Sequence, residues 1–130
     1  MLVLDASVVV ELLVSDDLKK IERLESRLRG ETLVAPDHMW LEVLSVIVRL
    51  SRIGVLSELD AQRIIQQLQR LNIRVITSSS FVQRIWKLRK NVFYLDAAYV
   101  AIAESLDAPL LTCDRKLSRA TGPECLFELW

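Results

Sequence analysis

The sequence predicts an α/β fold: one domain in which a parallel sheet of four or five short strands lies between helices. Three observations lead there. Short apolar runs alternate with longer stretches of helical periodicity along the whole chain. Three glycines and three prolines in 130 residues leave no linker, repeat or low-complexity segment to divide it. A chain of 130 residues also suits a single domain, and its core should be aliphatic, because 52% of residues are hydrophobic and only 6% aromatic.

The elements follow in order. Leu2 to Leu4 is a short apolar run fit for a buried strand, and Ser7 to Leu13 reads as a helix. Leu18, Ile21, Leu24 and Leu28 recur at helical spacing and form one apolar stripe, stopped by Gly30. Thr32 to Ala35 is a second strand. Pro36-Asp37 opens a long helix running to about Ile53 and ended by Gly54. Ser57 and Asp60 have the spacing of a capping box before a helix over Glu58 to Leu71. A third strand is expected over Arg74 to Thr77, then helices over Ser79 to Lys90 and Asp96 to Leu106. Pro109 to Cys113 makes a fourth strand, Arg115 to Ala120 a short helix, and Cys125 to Leu129 a fifth strand.

Composition narrows the function. The formal net charge is zero, so no overall field recruits nucleic acid. The charges are unevenly spread, however. Between Ala61 and Leu95 there is no acid, while Arg63, Arg70, Arg74, Arg84, Lys87, Arg89 and Lys90 are all basic. Such a one-signed stretch suits either a phosphate backbone or the solvated outer faces of two helices. The apolar share stands somewhat above the usual range, consistent with a covered surface or with a well-filled core. Cys113 and Cys125 form no CxxC pair and read as buried free thiols of a reducing compartment, with a disulfide between neighbouring strands as the alternative. The N-terminus lacks a basic region, with an acid at position 5, which argues against a signal peptide. The longest apolar stretch, Ala97 to Ala103, is far short of the ~18 residues of a membrane helix. A soluble, cytoplasmic protein is therefore expected, with no membrane partner.

Four acids stand where an acid is costly. Asp5 closes the first apolar run, and Asp114 follows Leu110-Leu111-Thr112-Cys113. Glu42 interrupts Met39-Trp40-Leu41 and Val43-Leu44, and Asp96 opens the alanine-rich stretch from Ala97. A buried carboxylate must be paired, hydrogen-bonded or placed on a metal. Ligands of open α/β sheets bind beyond the carboxyl ends of the strands, where Asp5 and Asp114 are expected. Each of these two, and Asp96, also fits an ordinary helix N-cap. Glu42 lies on a polar stripe with His38, Ser45, Arg49 and Arg52, which faces either water or a cleft. The single histidine, His38, rules out a multi-histidine zinc site and reads as a surface or helix-start residue. No glycine-rich phosphate loop is present, and Ser7 and Ser45 lack a His-Asp pair for nucleophilic catalysis. Hydrolysis at a carboxylate-held metal remains.

These residues carry a resemblance. The ordered segments Leu4-Asp5-Ala6-Ser7, Trp40-Leu41-Glu42-Val43-Leu44, Leu95-Asp96-Ala97-Ala98 and Leu110-Leu111-Thr112-Cys113-Asp114-Arg115-Lys116-Leu117 resemble those of PIN-domain ribonucleases. The likeness is greatest to the VapC-type toxins of bacterial and archaeal toxin–antitoxin pairs, and it spans almost the whole chain as one domain, residues 1–130. Any one segment is weak, whereas the ordered set is fairly specific. The resemblance implies a Mg²⁺- or Mn²⁺-dependent endoribonuclease, with Asp5, Glu42, Asp96 and Asp114 as metal-binding and catalytic acids. Ser7 and Thr112 match the supporting hydroxyls. It also implies a homodimer and a small VapB-type antitoxin that occludes the site. One departure is Ser45, where many members carry Asn, a difference bearing on substrate contact rather than on the metal site. Arg115, Lys116, Lys87, Arg89 and Lys90 are the candidate RNA-binding residues. Two other readings stay open: an aspartate-based phosphotransferase or hydrolase with Asp5 as nucleophile, disfavoured by Ser7 standing where a second Asp would be, and a non-catalytic PIN-like RNA-binding module.

Overall fold

The computed structural model describes all 130 residues. Five strands, β1 (Leu2–Leu4), β2 (Leu33–Pro36), β3 (Ile73–Ile76), β4 (Leu110–Thr112) and β5 (Phe127–Leu129), form one sheet in the order β3-β2-β1-β4-β5. Every pairing is parallel, with Val3 opposite both Val34 and Leu110. β1 is central, and all three of its residues are buried, as a strand covered on both faces requires. The chain builds outward from β1 to β3, then returns to add β4 on the other side. The order therefore reverses between β1 and β4, and the crevice beyond their carboxyl ends is the place such sheets bind ligands.

The helices are α1 (Ala6–Val14), α2 (Leu18–Leu28), α3 (Met39–Arg52), α4 (Glu58–Arg70), α5 (Val82–Leu88), α6 (Tyr94–Leu106) and α7 (Arg115–Ser118). α6 is buried without a break from Ala97 to Ala103 and packs on β1, β2 and β4. Its alanines allow that close approach, while Tyr99 is the largest fully buried side chain. On α2, Leu24 and Leu28 are buried, but Leu18, expected on the same stripe, is exposed because it opens the helix.

Several boundaries differ from those the sequence predicts. Pro36 completes β2, so α3 begins at Met39. Ser57 Oγ accepts the Asp60 N–H and caps α4 as its spacing predicts. Residues expected to form one helix from Ser79 to Lys90 divide into a 3₁₀ turn, Ser78–Phe81, and α5. α6 starts two residues before Asp96, whose N-cap reading is thereby corrected: Phe93 takes that position and Asp96 sits in the first turn. Gly54 ends α3 at φ +79°, a left-handed conformation that glycine adopts without strain. The cysteines are free, and both are half-buried rather than fully buried.

Candidate active site

The four acids come together. Asp5, Glu42, Asp96 and Asp114 line one open cleft of about 580 Å³ beyond the carboxyl ends of β1 and β4. Each arrives on a different element: Asp5 between β1 and α1, Glu42 on the first turn of α3, Asp96 on the first turn of α6, and Asp114 before α7.

Asp5 is 6% exposed and occupies the N-cap position of α1, but its side chain makes no cap bond. Instead its Oδ2 accepts the Ser7 hydroxyl at 2.5 Å and the Thr112 hydroxyl at 2.7 Å. Both hydroxyls also accept backbone N–H groups from the segment after β4. Cys113 N–H donates to Ser7 Oγ at 3.0 Å, and Asp114 N–H donates to Thr112 Oγ1 at 3.0 Å. Two short relays thus orient Asp5 and tie it to the backbone that carries Asp114. Burial raises the Asp5 pKa, the two hydroxyls oppose that, and Glu42 raises it further. Asp114 Oδ1 caps α7 by accepting Leu117 N–H at 3.0 Å, so its N-cap reading holds while the same residue lines the cleft.

Asp96 carries the plainest sign of crowding. Its pKa is raised to about 6, first by burial and then by repulsion from Asp5, Glu42 and Asp114. Glu42 Oε1 receives the Tyr99 hydroxyl at 2.7 Å and faces His38 Nε2 at 3.2 Å. His38 stands at the start of α3 as expected, but it is not a surface residue. Its side chain is 17% exposed and turned inward, with Nε2 also 3.1 Å from the Leu95 carbonyl. Burial works against its protonation, yet Glu42 outweighs that and leaves its pKa raised. Tyr99 is pushed far above the usual phenol range by burial and by Glu42, so its hydroxyl stays protonated and donates.

Sequence reasoning missed Tyr99, because a tyrosine inside an apolar helical run reads as core. Only its position three residues after Asp96 signals that it shares a helix face with an acid. It also missed Glu11, which lines the cleft and is paired with Lys20 at 2.6 Å. The polar stripe of α3 divides as its spacing allows. Ser45 and Arg49 line the cleft beside Glu42 and also a shallow surface with Leu41, Leu44 and Val48, whereas Arg52 lines only the latter.

The basic candidates separate. Arg115 and Lys116 are exposed and follow Asp114 directly. Lys87, Arg89 and Lys90 are exposed on and after α5 but do not line the cleft, and Arg89 stacks on Trp86 at 3.9 Å. Arg84 leaves the basic stretch altogether: it pairs with Glu104 through two hydrogen bonds at 2.7 and 2.9 Å and donates to the Gly122 carbonyl.

The donor set suits a hard divalent cation, since crowded carboxylates need a positive partner and oxygen ligands match Mg²⁺ or Mn²⁺. No three side chains are spaced to enclose an ion by themselves.

Comparison with known proteins gives the family. The PIN-domain family model matches residues 2–123. Ribonuclease VapC12 of Mycobacterium tuberculosis is 36% identical over 129 residues, covering 99% of this chain and 98% of the relative. VapC ribonuclease Mb0985 of Mycobacterium bovis is 31% identical over 125 residues, covering 96% and 94%. Among solved structures, the VapBC2 complex of Rickettsia felis bound to a promoter DNA fragment contains a chain that superposes with a TM-score of 0.73. It covers 99% of this chain and 98% of that one at 14% identity, a likeness of fold. Fold, cleft and full-length likeness to two ribonucleases agree: the chain belongs to the PIN-domain family, among its VapC-type ribonucleases.

Proposed function

We propose that this protein is a metal-dependent endoribonuclease, the toxin of a VapBC-type pair, with Asp5, Glu42, Asp96 and Asp114 as its catalytic acids. The observation that carries the proposal is the convergence of those acids in one cleft at the switch point of the sheet. Mg²⁺ or Mn²⁺ would be held by the quartet and, when bound, supplies Lewis-acid activation of water and of the scissile phosphate.

The chain's own residues do the rest. Ser7 and Thr112 hold the Asp5 carboxylate in one orientation and favour its ionised form against burial, which raises its pKa. Without a cation the acids repel a phosphate backbone, so nearby bases must offset that field. Arg49 at the cleft and the exposed Arg115 and Lys116 next to Asp114 in sequence support this, and Lys87, Arg89 and Lys90, exposed outside the cleft, would extend the RNA contact. An open cleft admits the extruded bases of single-stranded or looped RNA more readily than a deep duplex groove.

The partners proposed are RNA as substrate, a VapB-type antitoxin, and a second copy of the chain. Leu41 and Val48 on α3 and Ile53 just after it, at 69%, 38% and 66% exposure, leave large apolar side chains uncovered, which supports a homodimer. Light scattering checks the dimer. No helix is long and apolar enough to cross a membrane. The competing use of Asp5 as a phosphoryl acceptor is disfavoured, because two hydroxyls already converge on its Oδ2.

The test is cleavage of defined RNA by the purified protein with Mg²⁺ or Mn²⁺ and with chelator, ends mapped. Cation-dependent cuts suppressed by the co-purified antitoxin support the proposal. RNA binding without cleavage under every metal condition overturns it in favour of a binding module. Label retained on Asp5 after exposure to a phosphoryl donor favours the phosphotransferase.

A further inference from the structure

We infer that Tyr99 and His38 are positioning residues that lock Glu42 in place and set its separation from Asp96. The inference rests on the proposed reading of Glu42 as a cation ligand and adds what holds it there.

The geometry points to a clamp. Glu42 lies on the first turn of α3, and a glutamate side chain has several rotamers to choose from. One hydrogen bond and one close contact meet one of its oxygens. Tyr99 Oη–H reaches Oε1 at 2.7 Å from α6, and His38 Nε2 reaches the same oxygen at 3.2 Å from one turn before. Oε2 receives neither, so the carboxylate is held by one oxygen and presents the other. The holders are themselves fixed. Tyr99 is fully buried, and the His38 ring packs edge-on against it with centroids 5.3 Å apart at 81°.

His38 does a second thing. Its Nε2 is also 3.1 Å from the carbonyl of Leu95, the residue before Asp96. Carbonyl and carboxylate are both acceptors, which assigns the imidazole hydrogen to Nε2. That N–H bonds the backbone that carries Asp96, and the same nitrogen stands 3.2 Å from Glu42 Oε1. Tyr99 lies three residues after Asp96 on the same helix, so both holders tie α3 to the first turns of α6. Two like charges across a cleft drift apart unless something opposes it. Groups that orient metal ligands in this way typically change metal affinity 10- to 100-fold when removed.

The experiment titrates Mn²⁺ calorimetrically into the metal-free full chain, with thermal unfolding recorded for each variant and kcat and KM for RNA at saturating Mn²⁺. Tyr99→Phe and His38→Ala should each weaken Mn²⁺ binding roughly tenfold, with KM little changed. His38→Gln, whose side-chain amide can replace the Nε2–H, should recover part of the loss. Glu42→Gln is the control for the underlying reading. If Glu42→Gln weakens binding while Tyr99→Phe and His38→Ala bind Mn²⁺ as wild type does, the inference is overturned and the site reading stands. If Glu42→Gln also binds normally, both fall. Equal losses in His38→Ala and His38→Gln overturn the assignment to the N–H donor. Should Tyr99→Phe fail to fold, the two His38 variants decide the matter.

Discussion

Replacing Asp96 by Asn should make the metal-free protein more stable while abolishing its activity. The carboxyl pKa rises from 3.8 to about 6 in the folded chain, through burial and then through Asp5, Glu42 and Asp114. That displacement corresponds to about 3 kcal/mol against the ionised form. The group is only half-buried at an open cleft, so solvent screening reduces this to roughly 1–2 kcal/mol. The sign follows from linkage. The folded state binds this proton more tightly than the unfolded one, so the contribution of Asp96 to stability is greatest below 3.8, declines as pH rises to about 6, and levels off above. The neutral amide lacks this loss. Asp96→Asn should therefore melt higher at pH 8 in chelator, by about 3–8 °C for a chain of this length, and the gap should close near pH 4. Thermal unfolding of both proteins across that range is the assay. A variant less stable at pH 8, or a gap that does not change with pH, would refute the reasoning that the acids crowd one another.

Other outcomes follow from the same bonds and charges. Thr112→Val removes the hydroxyl that serves Asp5 and Asp114 at a fully buried position, so it should cost about 1–3 kcal/mol and weaken Mn²⁺ binding, read by unfolding and calorimetry. Arg84→Ala should destabilise the fold by about 2–3 kcal/mol, because Glu104 is left without its bidentate partner, and leave RNA affinity unchanged. Alanine at Arg115 and Lys116, and separately at Lys87, Arg89 and Lys90, should weaken RNA binding across sequences. The salt slope should fall by about one for each phosphate-neutralising charge removed. An unchanged slope in both sets would make these bases a solvated face.

What the chain reveals before folding depends on how local the cause is. β1 and β4 are legible because strands buried on both faces read as continuous apolar runs, and the acids that close those runs stand out against them. Asp5 and Asp114 are therefore visible in one dimension. Glu42 and Asp96 are visible as interruptions of apolar helices, but nothing local says that α3 and α6 turn them toward the same cleft. Tyr99 and the inward turn of His38 are decided by that packing alone, with Glu42 and Tyr99 57 positions apart in sequence. Arg84 reads as one of seven free bases because its partner, Glu104, is 20 residues away on another helix. The Asp96 N-cap reading fails for a smaller reason: Phe93 takes the extended conformation that opens α6.

If the four acids form one cation site, anomalous diffraction from crystals equilibrated with Mn²⁺ should show it. A manganese peak is expected in the cleft at ligating distance from Asp5 and at least one of Glu42, Asp96 and Asp114, absent in Asp5→Asn. A well-ordered cleft with no peak at high Mn²⁺, or a peak elsewhere with RNA cleavage intact in Asp5→Asn, would contradict it.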